Sequence, residues 1–264
     1  MNSLKEQLNP IDMKSKSENV NLFWTGGWDS TFRLLQILVT EHKSVQTYYI
    51  IDPNRPSFQV ELATMEKIRK DIFDKYPETE LLFFPTKIVH LLDIKKNQTI
   101  EEAYEKAQKK EHLGSQYDWL ARFCNQYQIM DMEVCVQKLD TPNHPPRFSP
   151  FFERDNGTSE FVYKESLIDE PEYILFKDFR FPILNLTKEA MFEIAKGNHW
   201  LKIMNKTWFC HSPIRDEIPC GKCVPCKQII NDDKLKRRIP IYIRLIRRYP
   251  SSKLMKFIEA KFLS

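Results

Sequence analysis

Glycine is scarce in this chain, with six in 264 residues. Residues able to enter left-handed backbone or admit a close neighbour are therefore few, and their positions carry information. Long apolar runs are missing too. None approaches the roughly 18 residues of a membrane-crossing helix, and a mean hydropathy of −0.50 fits a water-exposed globular chain. The first 18 residues are polar and mixed in charge, without the apolar segment of a secretion signal. Residues 1–19 are expected to be a flexible lead, the compartment cytoplasmic, and membrane partners absent. Charge of one sign is lacking as well: 40 basic against 36 acidic residues leave a net +4, too little by itself to argue for nucleic acid. Neither internal repeats nor low-complexity segments occur.

Two of the six glycines stand together in the stretch Val20-Asn-Leu-Phe-Trp-Thr25-Gly26-Gly27-Trp28-Asp29-Ser30-Thr31. Val20, Leu22, Phe23 and Trp24 read as a buried strand. Asp29, Ser30 and Thr31 offer capping side chains to a helix over 30–41 with Phe32, Leu34, Leu35 and Leu38 on its apolar face. A glycine pair is common in an ordinary βα turn. A glycine turn opening a helix is also how a backbone cradles phosphate, through free N–H groups at the positive end of the helix dipole. The hydroxyls of Thr25, Ser30 and Thr31 add donors. No Gly-Lys-Ser/Thr follows, so this is not a Walker loop.

Downstream, Val45–Ile51 reads as a strand ending in a loop at Asp52. Ser57 opens a helix to about Lys75 with Val60, Leu62, Ile68, Ile72 and Phe73 inward. Residues 81–84 read as a third strand, 98–128 as helix broken near Gly114, and 132–136 and 173–176 as further strands. The proline-rich residues 140–171 read as an irregular excursion or lid. Thr187 caps a helix that stops near Gly197. Strand alternating with helix predicts a doubly wound parallel α/β sheet. Ligands bind beyond the carboxyl ends of such strands, which puts 25–30 and 52–55 on one rim.

Of six cysteines, Cys210, Cys220, Cys223 and Cys226 fall within 17 residues. In a cytoplasmic chain this predicts a metal rather than disulfides. Four thiolates with this spacing close a tetrahedron round Zn²⁺, with Gly221 in the knuckle between them. A four-iron cluster, redox use of a Cys-x2-Cys pair and His211 in place of one thiolate are rival readings. Cys124 and Cys135 sit on apolar stretches and read as core. Residues 234–264 carry ten Lys and Arg against Glu259 alone, interleaved with apolar residues. This predicts a terminal helical segment packed by its apolar face with a solvated basic face; an RNA or membrane-surface element and homodimer formation are weaker readings of the same pattern.

Residues 25–30 resemble the Ser-Gly-Gly-x-Asp-Ser signature of the PP-loop ATP pyrophosphatases, with Thr in first place. With Cys210 and Cys220-Gly221-Lys222-Cys223-Val224-Pro225-Cys226 following, the chain resembles the 7-cyano-7-deazaguanine synthase family over about residues 20–230. Asp52 with Glu61-Leu62, the segment Phe181-Pro-Ile-Leu-Asn-Leu-Thr-Lys-Glu and Thr207-Trp-Phe-Cys210 also look alike. The resemblance implies an adenine nucleotide alpha hydrolase-like domain over 20–205 and a helical zinc-binding region over 206–264. It implies ATP and Mg²⁺ held by Thr25, Gly26, Gly27, Asp29, Ser30, Thr31 and Asp52, with Asp29 and Ser30 catalytic. It implies a ligase that activates the carboxylate of 7-carboxy-7-deazaguanine as an acyl-adenylate and, with ammonia, forms amide and then nitrile. The family's Gly-Gln-Arg-His after Asp52 is replaced by Pro53-Asn54-Arg55-Pro56, and its Arg-Asn is missing around 114–122. Trp28, Tyr117, Trp119 and Arg147 are candidates for a different pocket there. Other acceptors (another carboxylate, a peptide or tRNA) and a non-catalytic zinc-bearing nucleotide-binding module are the alternatives.

Overall fold

The computed structural model describes residues 19–110, 113–138, 151–155, 160–214, 217–233, 235–249 and 252, 253, 257 and 260. The predicted N-terminal lead and Arg147 lie outside the described residues.

Five parallel strands form the main sheet: β1 (Val20–Phe23), β2 (Val45–Ile51), β3 (Lys87–His90), β4 (Met132–Glu133) and a last short strand, Phe179–Arg180. The order is β3-β2-β1-β4 and then that last strand. Chain order thus runs one way from β1 through β2 to β3 and the other way through β4, and ligand crevices of open parallel sheets form at this reversal. Side chains alternate across the sheet. Leu22, Trp24, Tyr49 and Ile51 enter one core; Phe23, Tyr48 and Met132 enter a second core on the opposite face. Apolar cores on both faces make the sheet doubly wound, as predicted.

Helices α1 (Trp28–Leu35) and α2 (Phe58–Lys75) cover the first face, and α3 (Gln98–Lys110) and α4 (Gln116–Tyr127) the second. The described break between α3 and α4 includes Gly114, as expected. Helix α1 begins earlier than predicted: Gly27 is its N-cap, with no side-chain cap, so Asp29, Ser30 and Thr31 lie in its first turn. Residues Gln36–Thr40 continue it as a π-helix. In α2, Leu62 and Phe73 are only partly buried, while Glu61, Thr64 and Met65 turn inward.

Three further expectations are corrected. Residues 81–84 are not a strand: Phe83 alone bridges Val45 and plugs the core, Leu81 is 88% exposed, and β3 forms after Pro85. The stretch 132–136 pairs as a strand only at Met132–Glu133. Residues 173–176 are helical, in α5 (Pro171–Phe176), because Pro171 at the first turn presets helical φ and Leu175 and Phe176 face one core. The expected irregular excursion contains an antiparallel pair, β5 (Phe152–Arg154) with β6 (Phe161–Tyr163). Residues 139–150 and 156–159 of it lie outside the described residues. The last sheet strand is β7.

Thr187 caps α6 (Lys188–Gly197) by accepting the Ala190 N–H at 3.1 Å. The cysteine segment follows α7 (Leu201–Met204) and leads into α8 (Val224–Ile230) and α9 (Ile241–Arg248). Cys210, Cys226, Ile229, Ile239 and Ile243 join the same core as α1 and α2. The basic tail therefore docks partly as expected, through Ile239, Ile243 and Ile246, whereas Ile241 and Leu245 stay exposed.

Buried charge ties α1 to β4. Arg33 grips Glu133 through Nε and Nη2 at 2.8 and 2.7 Å, with Glu41 also bonded to it. Burial pushes the Glu133 carboxyl up, against the pull of Arg33, while the facing carboxylates hold the guanidinium charged. A bidentate pair of this kind fixes orientation as well as distance. No helix among the described residues is long and apolar enough to cross a membrane.

Candidate functional site

The turn after β1 is a cradle. Gly26 adopts φ +66°, and a Cβ there would lie 3.0 Å from Met65 Cγ and 3.4 Å from the Glu61 carbonyl, so both conformation and space require glycine. The Gly26 carbonyl accepts the Trp208 N–H at 2.9 Å, and Trp208 Nε1 in turn donates to the Cys210 carbonyl at 2.7 Å. The loop and the cysteine segment are thereby joined by two hydrogen bonds in series. Ser30 Oγ accepts the Thr25 N–H at 3.4 Å across the turn.

Two cavities share this turn. One, of about 220 Å³, opens over the carboxyl ends of β1, β2 and β4; Thr25, Gly27, Asp29 and Ser30 meet Tyr48, Trp119 and Cys135 there. The other, of about 250 Å³, lies between the turn and the cysteine segment, where Thr25, Gly27 and Asp29 meet Arg55, Lys188 and Arg238. Trp28 and Arg55 line both. The first sits at the chain-order reversal of the sheet, where an open α/β fold binds its ligand.

Asp29 is the unsatisfied group. Its Oδ1 is shielded from water without a hydrogen bond, and its nearest countercharge is Lys188 Nζ at 3.8 Å. Burial raises its carboxyl above the usual range, while Lys188 opposes the shift. Trp28 Nε1 beside it is also buried and unbonded. Buried polar atoms are mostly hydrogen-bonded, and here two that are not stand side by side in one cradle.

The predicted residues divide. Thr25, Gly27, Asp29 and Ser30 line the cavities, with Gly26 shaping the turn. Thr31 does not: it is fully buried, and its Oγ1 accepts Trp24 Nε1–H at 3.0 Å, because a residue one step past Ser30 falls on the inner face of α1. Asp52 is on the expected rim but turned into its own loop, where Oδ1 accepts the Asn54 N–H at 2.9 Å. Of the aromatic candidates, Trp28 and Trp119 line cavities, whereas Tyr117 packs edge-on against Phe176 in the core. Cys124 is core, and partly buried Cys135 lines the sheet cavity.

Three cations were not legible in advance. Arg55 is held by Glu61 at 2.9 Å and Ser57 Oγ at 3.1 Å; Glu61 also accepts Tyr49 Oη at 2.8 Å. Lys188 opens α6. Arg238, from the basic tail, bonds the Thr207 carbonyl and hydroxyl and lies over the rings of Phe209 at 4.8 Å and Trp28 at 5.8 Å. Burial lowers its guanidinium to about 10. Arg55 and Lys188 carried a signal, since Arg55 lies on the expected rim in the resembled loop and Lys188 in the resembled segment 181–189.

The four sulfurs of Cys210, Cys220, Cys223 and Cys226 lie within 4.8 Å of one another, with Cys220–Cys226 at 3.9 Å and Cys210–Cys223 at 4.0 Å. This cluster can bind a metal. A tetrahedron with metal–sulfur bonds of about 2.3 Å has edges of about 3.8 Å, so the spacing suits one ion. A four-iron cubane would hold its thiolates further apart. Backbone N–H groups turn to the sulfurs: Cys220 to Cys210 at 3.2 Å, and Lys222 and Cys223 to Cys220 at 3.3 Å each. Hydrogen bonding from the Cys226 thiol leads in bringing the Cys210 thiol down to about 5. His211 lines the cavity instead of joining the sulfurs.

No protein-family model matches the chain, and no curated protein matches it. Among solved structures, the U34-tRNA thiolase NcsA from Methanococcus maripaludis, determined with its [4Fe-4S] cluster, aligns over 93% of this chain and 76% of its own at 13% identity. The TM-score is 0.40, and a likeness that loose carries nothing about chemistry.

Proposed function

We propose that this protein uses ATP to adenylylate the carboxylate of a small heterocyclic acid and passes the acyl group to ammonia, as in formation of a deazaguanine nitrile. The observation that carries the reading is the Asp29 carboxylate, its Oδ1 buried without a hydrogen bond and paired only with Lys188 at 3.8 Å, set in a glycine cradle at the reversal point of the sheet.

The nucleotide would lie in the cavity over β1, β2 and β4, its pyrophosphate against the backbone of Gly26 and Gly27 and the Ser30 hydroxyl. The acid would occupy the second cavity, its ring against Trp28 and Phe209 and its carboxylate between Arg55 and Arg238. A carboxylate oxygen attacks the α-phosphorus; the bond to the bridging oxygen breaks and pyrophosphate leaves. Ammonia then attacks the acyl carbon, loses a proton, and AMP departs with its oxygen to give the amide. A second ATP adenylylates the amide oxygen, and loss of AMP with the nitrogen's protons gives the nitrile. No protein nucleophile is needed. Catalysis of this kind rests on positioning and on donors preset for developing charge.

The donor set fits two metals. Asp29 would hold Mg²⁺, which supplies charge neutralisation for the leaving pyrophosphate. The four thiolates would hold Zn²⁺, whose part is to fix the wall carrying Trp208, Phe209 and Arg238.

The test is pyrophosphate and AMP release from metal-loaded protein given ATP, Mg²⁺, ammonium and 7-carboxy-7-deazaguanine. Asp29→Asn is expected to lower the rate by about a hundredfold, the scale on which one charge-stabilising group matters. ATP binding with no release would overturn this acid as substrate, and no ATP binding would overturn the enzyme reading.

A further inference from the structure

The basic tail does not scatter its charges. Arg244, Arg247 and Arg248 of α9 meet Lys222 of the knuckle, Lys227 of α8 and Lys236 around an open cavity of about 570 Å³. Among the described residues no carboxylate lines it. Exposed Asp233 pairs with Lys236 nearby. Arg247 is anchored, donating through Nε and Nη2 to the Cys220 carbonyl at 3.1 and 2.9 Å. Arg244 Nε is shielded from water and has no hydrogen-bond partner. Six cations around one hollow make a strongly positive patch of the kind that attracts anions.

We infer that this cavity binds the phosphate backbone of a nucleic-acid strand. A lone phosphate ion calls for donors converging on one point. Here the cations come from four successive pieces of chain and line an open trough, an arrangement that answers several phosphates in a row. Helix α8 is the wall between this trough and the cavity beside the glycine cradle: Gln228 and Ile229 line one, Lys227 and Ile230 the other. A bound strand therefore lies one helix away from Asp29. The inference does not depend on the ATP chemistry, because binding persists if that reading fails.

Fluorescence anisotropy of full-length, metal-loaded protein with a labelled RNA of about 12 nucleotides, titrated at several salt concentrations, tests it. DNA of the same sequence, inorganic pyrophosphate and phosphatidylserine vesicles form the other arms. Oligonucleotide binding should weaken steeply with salt. In Lys227→Gln/Arg244→Gln/Arg248→Gln the affinity should drop about tenfold or more, and the log–log salt slope should shrink by about 2, roughly 0.7 for each lost contact to a single strand. Tighter binding of RNA than DNA would identify the 2′-hydroxyl as a further contact. If the triple variant fails to keep its metal, Arg248→Glu, at an exposed position, should move both quantities in the same direction. Unchanged affinity and slope in a folded variant would overturn the inference. So would charge-dependent binding of vesicles or pyrophosphate with neither oligonucleotide bound.

Discussion

Gly26 and Gly221 share a backbone conformation, with φ of +66° and +68°, and stand in surroundings of opposite kind. Around Gly26 polar groups are left without hydrogen bonds: Asp29 Oδ1 and Trp28 Nε1 are buried with no hydrogen-bond partner, and the Lys188 ammonium stands off Asp29 at 3.8 Å. Around Gly221 the N–H groups of Cys220, Lys222 and Cys223 are already spent on sulfur. The glycine cradle is rigid backbone around an unfilled polar demand, suited to a ligand that comes and goes. The knuckle is short-range bonding brought to completion, suited to an ion that stays. Two hydrogen bonds through Trp208 couple the cysteine segment to the glycine turn.

Removing the metal should separate the two regions most sharply. Chelation, or Cys226→Ser, is expected to lower stability by about 5 kcal/mol or more, since binding energy at a four-thiolate site is folding energy. Thermal unfolding with and without chelator measures this. Nucleotide affinity should fall with it through Trp208; an intact affinity in chelated protein would break the coupling.

Alanine at the two glycines comes next. Left-handed backbone costs an alanine about 1–2 kcal/mol. At Gly221 the new Cβ would also sit 2.7 Å from Ile243 Cγ2, closer than anything at Gly26, and 3.0 Å from Arg247 Cγ. Gly221→Ala should therefore be the more destabilising by about 1 kcal/mol in denaturant titrations, while Gly26→Ala should do the greater damage to ATP binding. Equal effects on both readouts would erase the distinction.

Lys188→Met sharpens the cradle's electrostatics. Burial holds the Asp29 carboxyl above its ordinary range and Lys188 pulls it down. Loss of the ammonium should raise it further, so the acid limb of the pyrophosphate-release profile should move to higher pH. A limb that stays in place, or moves to lower pH, would show that Asp29 is not the titrating group.

The smallest effect is expected at Thr31. Its hydroxyl serves Trp24 and not the cavities. Thr31→Val should cost about 1 kcal/mol, the worth of one buried hydrogen bond, and leave the rate of pyrophosphate release within about twofold, a difference of roughly 0.4 kcal/mol. A large rate loss with unchanged stability would return Thr31 to the ligand-binding set.

What the amino-acid order determined was local. The glycine turn after β1, the boundaries of β2 and α2, the Thr187 cap and the four-cysteine spacing all follow from conformational preferences and reach within a few residues, and each was legible in advance. The misread pieces were apolar runs whose state depends on neighbours. Residues 81–84 looked like a strand, but they make only an isolated bridge, Phe83 to Val45, and β3 takes the next pairing edge beyond Pro85. The 173–176 run looked like a strand until Pro171 and the facing core made it a helix turn. Only tertiary structure decided which side of α1 Thr31 faces, that Arg55, Lys188 and Arg238 meet at one cavity, and that a buried Arg33–Glu133 pair locks α1 to β4. Those outcomes depend on helix phase and on contacts across a hundred residues or more, as between Arg33 and Glu133, and no short-range preference encodes them.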